Sequence, residues 1–346
     1  MHDRGIEAED VGEPYRLIQL ALKGGRKTIV QSLKIGMVDL ETSHPQYWLP
    51  IIRRMGHEVV AVHDGGAVNP PGYAAEFAAR HQIREAFDSL ERMAEAVDVA
   101  MVFGSNWDLH IERAEPFVRA GKALLLGKPF AGNLRDIQQL LEWERRGARI
   151  TGGSSMYFCR EVSAYMENHR REDIIFAYAG SPVDEFNYGI HAYALLHRIM
   201  GAGVRSVRYL GTHHQHQFEC VWTDGRRGQV GAGPTQGYFP VFATIVAHRD
   251  VIHLPIDNVH SFEDQLQAQL PYLAGESEDV TPLGTLLEVE RMALAARLSR
   301  QLGGRTVALD DLSADEPGYD GGRFAMAYKL DKLAKEKLSG PAPILR

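Results

Sequence analysis

Lys34-Ile35-Gly36-Met37-Val38-Asp39-Leu40-Glu41-Thr42-Ser43-His44-Pro45 opens on a short apolar strand pattern, passes through a polar turn and enters a helix start. The same order of short apolar run, turn and amphipathic stretch recurs to residue 152. Strands are predicted over 34–38, 58–62, about 85–87, 97–103, 122–126 and 149–151, and helices over 46–55, 73–80, 88–96, 109–120 and 134–145. In the last helix Ile137, Leu140, Leu141 and Glu144 keep helical spacing, with Asn133 as N-cap and Gly147 as the stop. This alternation predicts a Rossmann-type, doubly wound parallel α/β sheet over 34–152, with ligands bound at the carboxyl ends of its strands.

Beyond Gly153 the pattern changes. One helix is predicted over 190–200, then strands over 204–211, 217–222, 228–232, 239–247 and 251–255, with Asp224-Gly225 as a hairpin turn. Helices over 262–273 and 283–302 follow. Residues 153–312 therefore read as an α+β domain with an open-faced antiparallel sheet, preceded by an extension over 1–33 and followed by a tail over 313–346.

The 346 residues are 45% hydrophobic and carry 38 Lys plus Arg against 45 Asp plus Glu, a net charge of -7. A chain of this size buries a substantial core. The acidic balance argues against a general nucleic-acid or membrane-surface binder, leaving a small-molecule ligand as the expected partner. No apolar run approaches the ~20 residues of a membrane span. Cys159 and Cys220 stand far apart, as buried thiols of a reducing compartment would, and the polar, acidic start lacks a signal-peptide pattern, so a cytoplasmic location is expected. No metal site is expected. His213, His214 and His216 lack a local third ligand and shell, and read as a solvent-exposed or sheet-face cluster.

The strand ends carry an ordered set of motifs: the 34–38 strand, Val60-Ala61-Val62-His63-Asp64, Asp98-Val99-Ala100-Met101-Val102, then Asn106 and His110, Gly127-Lys128-Pro129-Phe130-Ala131, and Gly189-Ile190-His191 opening a helix. Together they resemble the glucose-fructose oxidoreductase, inositol dehydrogenase and MocA family (Gfo/Idh/MocA). The resemblance implies a Rossmann domain followed by an open-faced sheet domain. It also implies an NAD- or NADP-dependent oxidoreductase acting on a sugar or polyol-like substrate, and a homodimer or homotetramer formed through the antiparallel sheet.

The family's catalytic positions map onto Lys128, Asn187 and His191. An ammonium can anchor the substrate oxygen and an imidazole can accept its proton, whereas Asn187, standing for an Asp, can hydrogen-bond but not relay a proton. Gly127 replaces the motif's Glu. The cofactor positions map onto Gly36, Leu40, Thr42, His44, Asp64, Asn106, His110 and Lys128. In the phosphate loop, however, Asp39, Glu41 and His44 stand where a dinucleotide fingerprint has glycines. A carboxylate about 5 Å from a phosphate costs on the order of 3 kcal/mol at an effective dielectric of 20, more than a hundredfold in affinity, unless it turns away. These substitutions open an alternative: a non-redox sugar-binding, regulatory or lyase/isomerase-type protein on the same fold. Ser43 and Pro45 are also explained as N-cap and first helical residue, which leaves His44 as the residue capping does not explain.

Overall fold

The computed structural model describes residues 32–339. The expected extension lies outside the described residues save for its last two, as does the chain beyond 339. β1 (Lys34–Val38), β2 (Glu58–His63), β3 (Glu85–Ala86), β4 (Val99–Val102), β5 (Ala123–Gly127) and β6 (Ile150–Gly153) pair in parallel in the order β3-β2-β1-β4-β5-β6. β4 and β5 are buried along their whole length, which is why they read as unbroken apolar runs rather than alternating ones. The strand order reverses between β1 and β4, so the crevice at the carboxyl end of β1 is the switch point where open sheets take ligands.

Helices α1 (His44–Arg54), α2 (Tyr73–His81), α3 (Leu90–Ala96), α4 (His110–Arg119) and α5 (Leu134–Arg145) connect these strands. Asn133 caps α5 by accepting the Asp136 N–H, and Ile137, Leu140 and Trp143 form its buried face. Gly147 follows that helix at φ 93°, a left-handed conformation suited to glycine. Gly36 corrects the expectation placed on it. It lies inside β1 under α3, where an added Cβ would stand 2.4 Å from the Met93 methyl. It permits close packing of β1 against α3.

After β6 come α6 (Arg160–Asn168), β7 (Ile174–Ser181), α7 (Gly189–Met200), β8 (Val204–His213), β9 (Gln215–Trp222), β10 (Arg227–Ala232), β11 (Phe242–Ala247) and β12 (Val251–Pro255). Then follow α8 (Asn258–Leu273), α9 (Leu283–Gln301), β13 (Val307–Ala308) and α10 (Gly321–Ser339). The second sheet runs β12-β11-β7-β10-β9-β8-β13. It is mostly antiparallel, as expected, with β7 and β10 the one parallel pair among the described residues. β7, a central strand, and α6 are additions to the sequence reading. β11 begins at Phe242 rather than 239 because Pro240 has no N–H for a ladder. His214, at φ 65°, turns the β8–β9 hairpin.

Two helices join the halves. α7 is buried around nearly its whole circumference. α8 inserts Leu266, Leu270 and Leu273 into the core that holds Trp48, Leu49 and Ile52 of α1. The buried amides of Gln265 and Gln269 donate to the carbonyls of Gly153 and Gly152, satisfying the end of edge strand β6. Cys159 and Cys220 are buried free thiols, and burial pushes Cys159 up to about 12. Among the described residues no helix is long and apolar enough to cross a membrane.

Candidate active site

A cavity of about 220 Å³ opens at the carboxyl end of β1. The turns after β1, β4 and β5 bring Thr42, Ser43, His44, Ser105 and Lys128 to it, while the start of α7 brings Asn187, Tyr188 and His191. α8 adds Asn258, Ser261 and Phe262, and α10 adds Phe324 and Tyr328. Its lining contains no Asp, Glu or Arg, so Lys128 supplies its charge.

Lys128 follows β5, whose run into Pro129 ends the strand. Its ammonium donates to Asn187 Oδ1 at 2.9 Å and to the Asn187 carbonyl at 3.0 Å, and lies 5.5 Å from the centre of the Tyr188 ring. Burial lowers its pKa to about 8, partly offset by Asp184, so near neutral pH it is mostly a cation. Asn187 therefore orients the lysine. It does not cap the helix that follows; Tyr188 occupies that position.

His191 is buried, with Nδ1 2.7 Å from Ser154 Oγ. Burial first, then the Lys128 charge and His44, hold its pKa well below the ordinary value, so the ring is neutral. In the tautomer whose Nδ1–H donates to Ser154, Nε2 keeps a lone pair for a substrate hydroxyl. His44 is likewise depressed, to about 3, by burial and Lys128. Its Nδ1 lies 3.1 Å from Thr42 Oγ1, and its ring stacks on Phe103. Ser43 forms no side-chain cap, correcting that expectation; Thr42 Oγ1 takes the His44 N–H instead, while Pro45 does sit in the first helical turn.

The loop acids turn away from the cavity into the chain's own donors. Asp39, at φ 58°, adopts a left-handed conformation in place of a fingerprint glycine. Its buried carboxylate accepts from Gly65 N–H at 2.9 Å and Arg113 Nε at 3.2 Å. Burial would raise its pKa, but His63, Arg113 and Gly65 hold it below the usual value. Glu41 is buried against Ser105, accepting its N–H at 2.7 Å and its hydroxyl at 2.6 Å, and burial raises its pKa. Asp64 follows β2 as expected for a ribose contact, yet it accepts from the N–H groups of Leu40 and Gly66 and from the Asn69 amide. Backbone N–H groups at the ends of β1, β2 and β4 are thus occupied by carboxylates. Such donors are what a pyrophosphate takes, so a bound dinucleotide would have to draw these N–H groups away from the carboxylates.

The structure brings Lys128, Asn187, His191, Thr42 and His44 together and leaves the other expected positions outside the cavity. Leu40 is a core residue. Asn106 caps the turn at 107–109 by accepting the Asp108 N–H. His110 is buried between the Gly104 and Phe130 carbonyls at 3.0 and 3.1 Å, so it belongs neither to the cleft wall nor to the surface. The described residues hold no cluster of three metal-ligating groups; His216 contacts Thr212 and Glu185. Sequence reading missed Ser154, Ser105 and Tyr188. The first two follow β6 and β4, so the strand-end rule reaches them.

A family model described as the oxidoreductase family, NAD-binding Rossmann fold (GFO_IDH_MocA) matches residues 33–152. A trans-1,2-dihydrobenzene-1,2-diol dehydrogenase of Danio rerio is 36% identical over 91 residues, 26% of each chain. The scyllo-inositol 2-dehydrogenase (NADP(+)) IolU of Bacillus subtilis is 37% identical over 70 residues, 20% of this chain and 21% of its own. The match thus spans about a quarter of the length of these curated relatives. The crystal structure of scyllo-inositol dehydrogenase from Lactobacillus casei with bound NAD(H) and scyllo-inositol superposes with a TM-score of 0.69. That likeness, at 15% identity, covers 81% of this chain and 100% of the other and extends the shared fold across both sheets. Residues 33–152 thus match the NAD-binding Rossmann fold of the Gfo/Idh/MocA oxidoreductase family.

Proposed function

We propose that this protein is an NAD(P)-dependent oxidoreductase acting on a sugar or polyol-like substrate held at Lys128 and His191. The observation that carries the reading is that both residues line one cavity at the switch point of the Rossmann sheet, in a lining without acids or arginines. Hydroxyls, amides, imidazoles and a single ammonium match the donors and acceptors of a neutral polyhydroxylated molecule. About 220 Å³ lies below the ~300 Å³ at which pockets for drug-sized ligands begin, which suits a single ring. The names of the similar proteins, an inositol and a ring 1,2-diol dehydrogenase, agree with that class.

The Lys128 ammonium, steered by Asn187, would hold the reacting oxygen and favour its developing negative charge. Neutral His191, oriented by Ser154, would take the hydroxyl proton at Nε2. The nicotinamide, when bound, supplies the hydride acceptor.

A second reading is favoured by Asp39, Glu41 and Asp64: a fold that keeps the sugar site and has given up redox chemistry. Titration of NADH and NADPH into the full chain, followed by fluorescence or calorimetry, separates the two. Saturable binding by either cofactor is expected. No binding at millimolar concentration sinks the oxidoreductase reading and leaves the second. We further propose a homodimer or homotetramer formed through the open face of the second sheet, and a small-molecule substrate as the protein's main partner.

A further inference from the structure

We infer that α10 is a built-in cover of the dinucleotide trench, seated across the carboxyl ends of β4, β1 and β2 so that a cofactor must displace it. The inference rests on the oxidoreductase reading and concerns how its site is controlled. At one end, beside β4, Asp108 accepts the N–H groups of Gly321 and Gly322 at 2.8 and 3.2 Å, and the Phe324 ring lies 5.0 Å from that of Trp107. At the other end, beyond β2, Lys329 donates to the Ala67 carbonyl at 3.2 Å and Lys332 to Asn69 Oδ1 at 2.7 Å. From Gly321 to Lys332 a helix rises about 17 Å, more than the two strand spacings, about 10 Å, that separate β4 from β2. α10 therefore bridges β1, where the strand order reverses and a dinucleotide would cross.

The cover is wired to the acids beneath it. Asn69, which accepts from Lys332, donates its amide to Asp64, and Asp64 holds the Leu40 N–H. Ribose-side carboxylate, phosphate-loop N–H and helix are thus linked by hydrogen bonds, so releasing the helix loosens the donors a pyrophosphate needs. Phe324 and Tyr328 of the same helix line the cavity beside Lys128. Lifting α10 would also widen the substrate site.

The test is made on the full chain, wild type and Lys329→Ala/Lys332→Ala, with NADH as the probe. NADH affinity is measured by calorimetry, and hydrogen exchange is followed for the amides of 321–332. Removing two latching hydrogen bonds is expected to tighten NADH binding roughly tenfold, and saturating NADH is expected to raise exchange across 321–332 in the wild type. Equal affinity together with unchanged or increased protection of α10 overturns the cover while leaving the oxidoreductase reading intact. Absence of NADH binding by both proteins overturns the two together. Should the double variant fold poorly, the wild-type exchange experiment decides alone.

Discussion

Glu290 shows how a single residue supports the site from outside it. It reaches from α9 to accept the Phe130 N–H at 3.1 Å, directly behind the turn that carries Lys128, and is about 1% exposed. Burial raises its pKa from 4.5 to about 8, with the Phe130 hydrogen bond working against the rise. The folded state therefore keeps a proton that the unfolded chain releases. From about 4.5 to about 8 this group makes stability fall as pH rises, and outside that window its contribution is flat. Glu290→Gln keeps an acceptor without ionising. Melting curves at about pH 5 and about pH 8 should show a smaller drop in midpoint for this variant than for the wild type, and an identical drop would remove Glu290 from the explanation. The sequence makes Lys128, Asn187 and His191 legible because each lies at an end of a strand or helix with a recognisable pattern. Glu290 is hidden there: its partner is 160 positions away, and it sits among helix-spaced apolar residues that read as a plain buried face.

At the scale of elements, periodicity finds the parallel sheet because each strand is a short apolar run and each connecting helix has one wet face. It misses β7, whose eight residues include the strand formers Ile174, Ile175, Phe176 and Tyr178 but whose burial does not alternate cleanly. It also fails for α10. The segment over 321–332 opens on Gly321-Gly322 and leaves Met326 and Leu330 each 60% exposed, so it has no clean buried stripe. Its position is set by tertiary partners, Asp108 and Trp107 at one end and Asn69 at the other. The phosphate loop is a mixed case. The acids that break the glycine pattern are visible in the sequence, but their donors, Gly65, Arg113 and Ser105, are supplied by the ends of β2 and β4 and by α4.

For the whole molecule, the second sheet has α7 and α9 against one face and, among the described residues, an open opposite face, with Tyr178, Phe242 and Thr244 half-buried and Ile175 half-exposed on or beside it. Covering such a face is the physical reason to expect association. Light scattering should give a dimer or tetramer mass, and a monomer would contradict the proposed assembly. In the proposed reaction the cavity between Lys128 and His191 oxidises a polyhydroxylated molecule with a nicotinamide drawn into a trench that α10 covers. The most direct measurement incubates the full chain with NAD or NADP at millimolar concentration and a panel of inositols and sugars, and follows the reduced nicotinamide. Reduced cofactor should accumulate with at least one pair and fall by roughly a hundredfold or more in Lys128→Met; no reduced cofactor with any pair would contradict the claim.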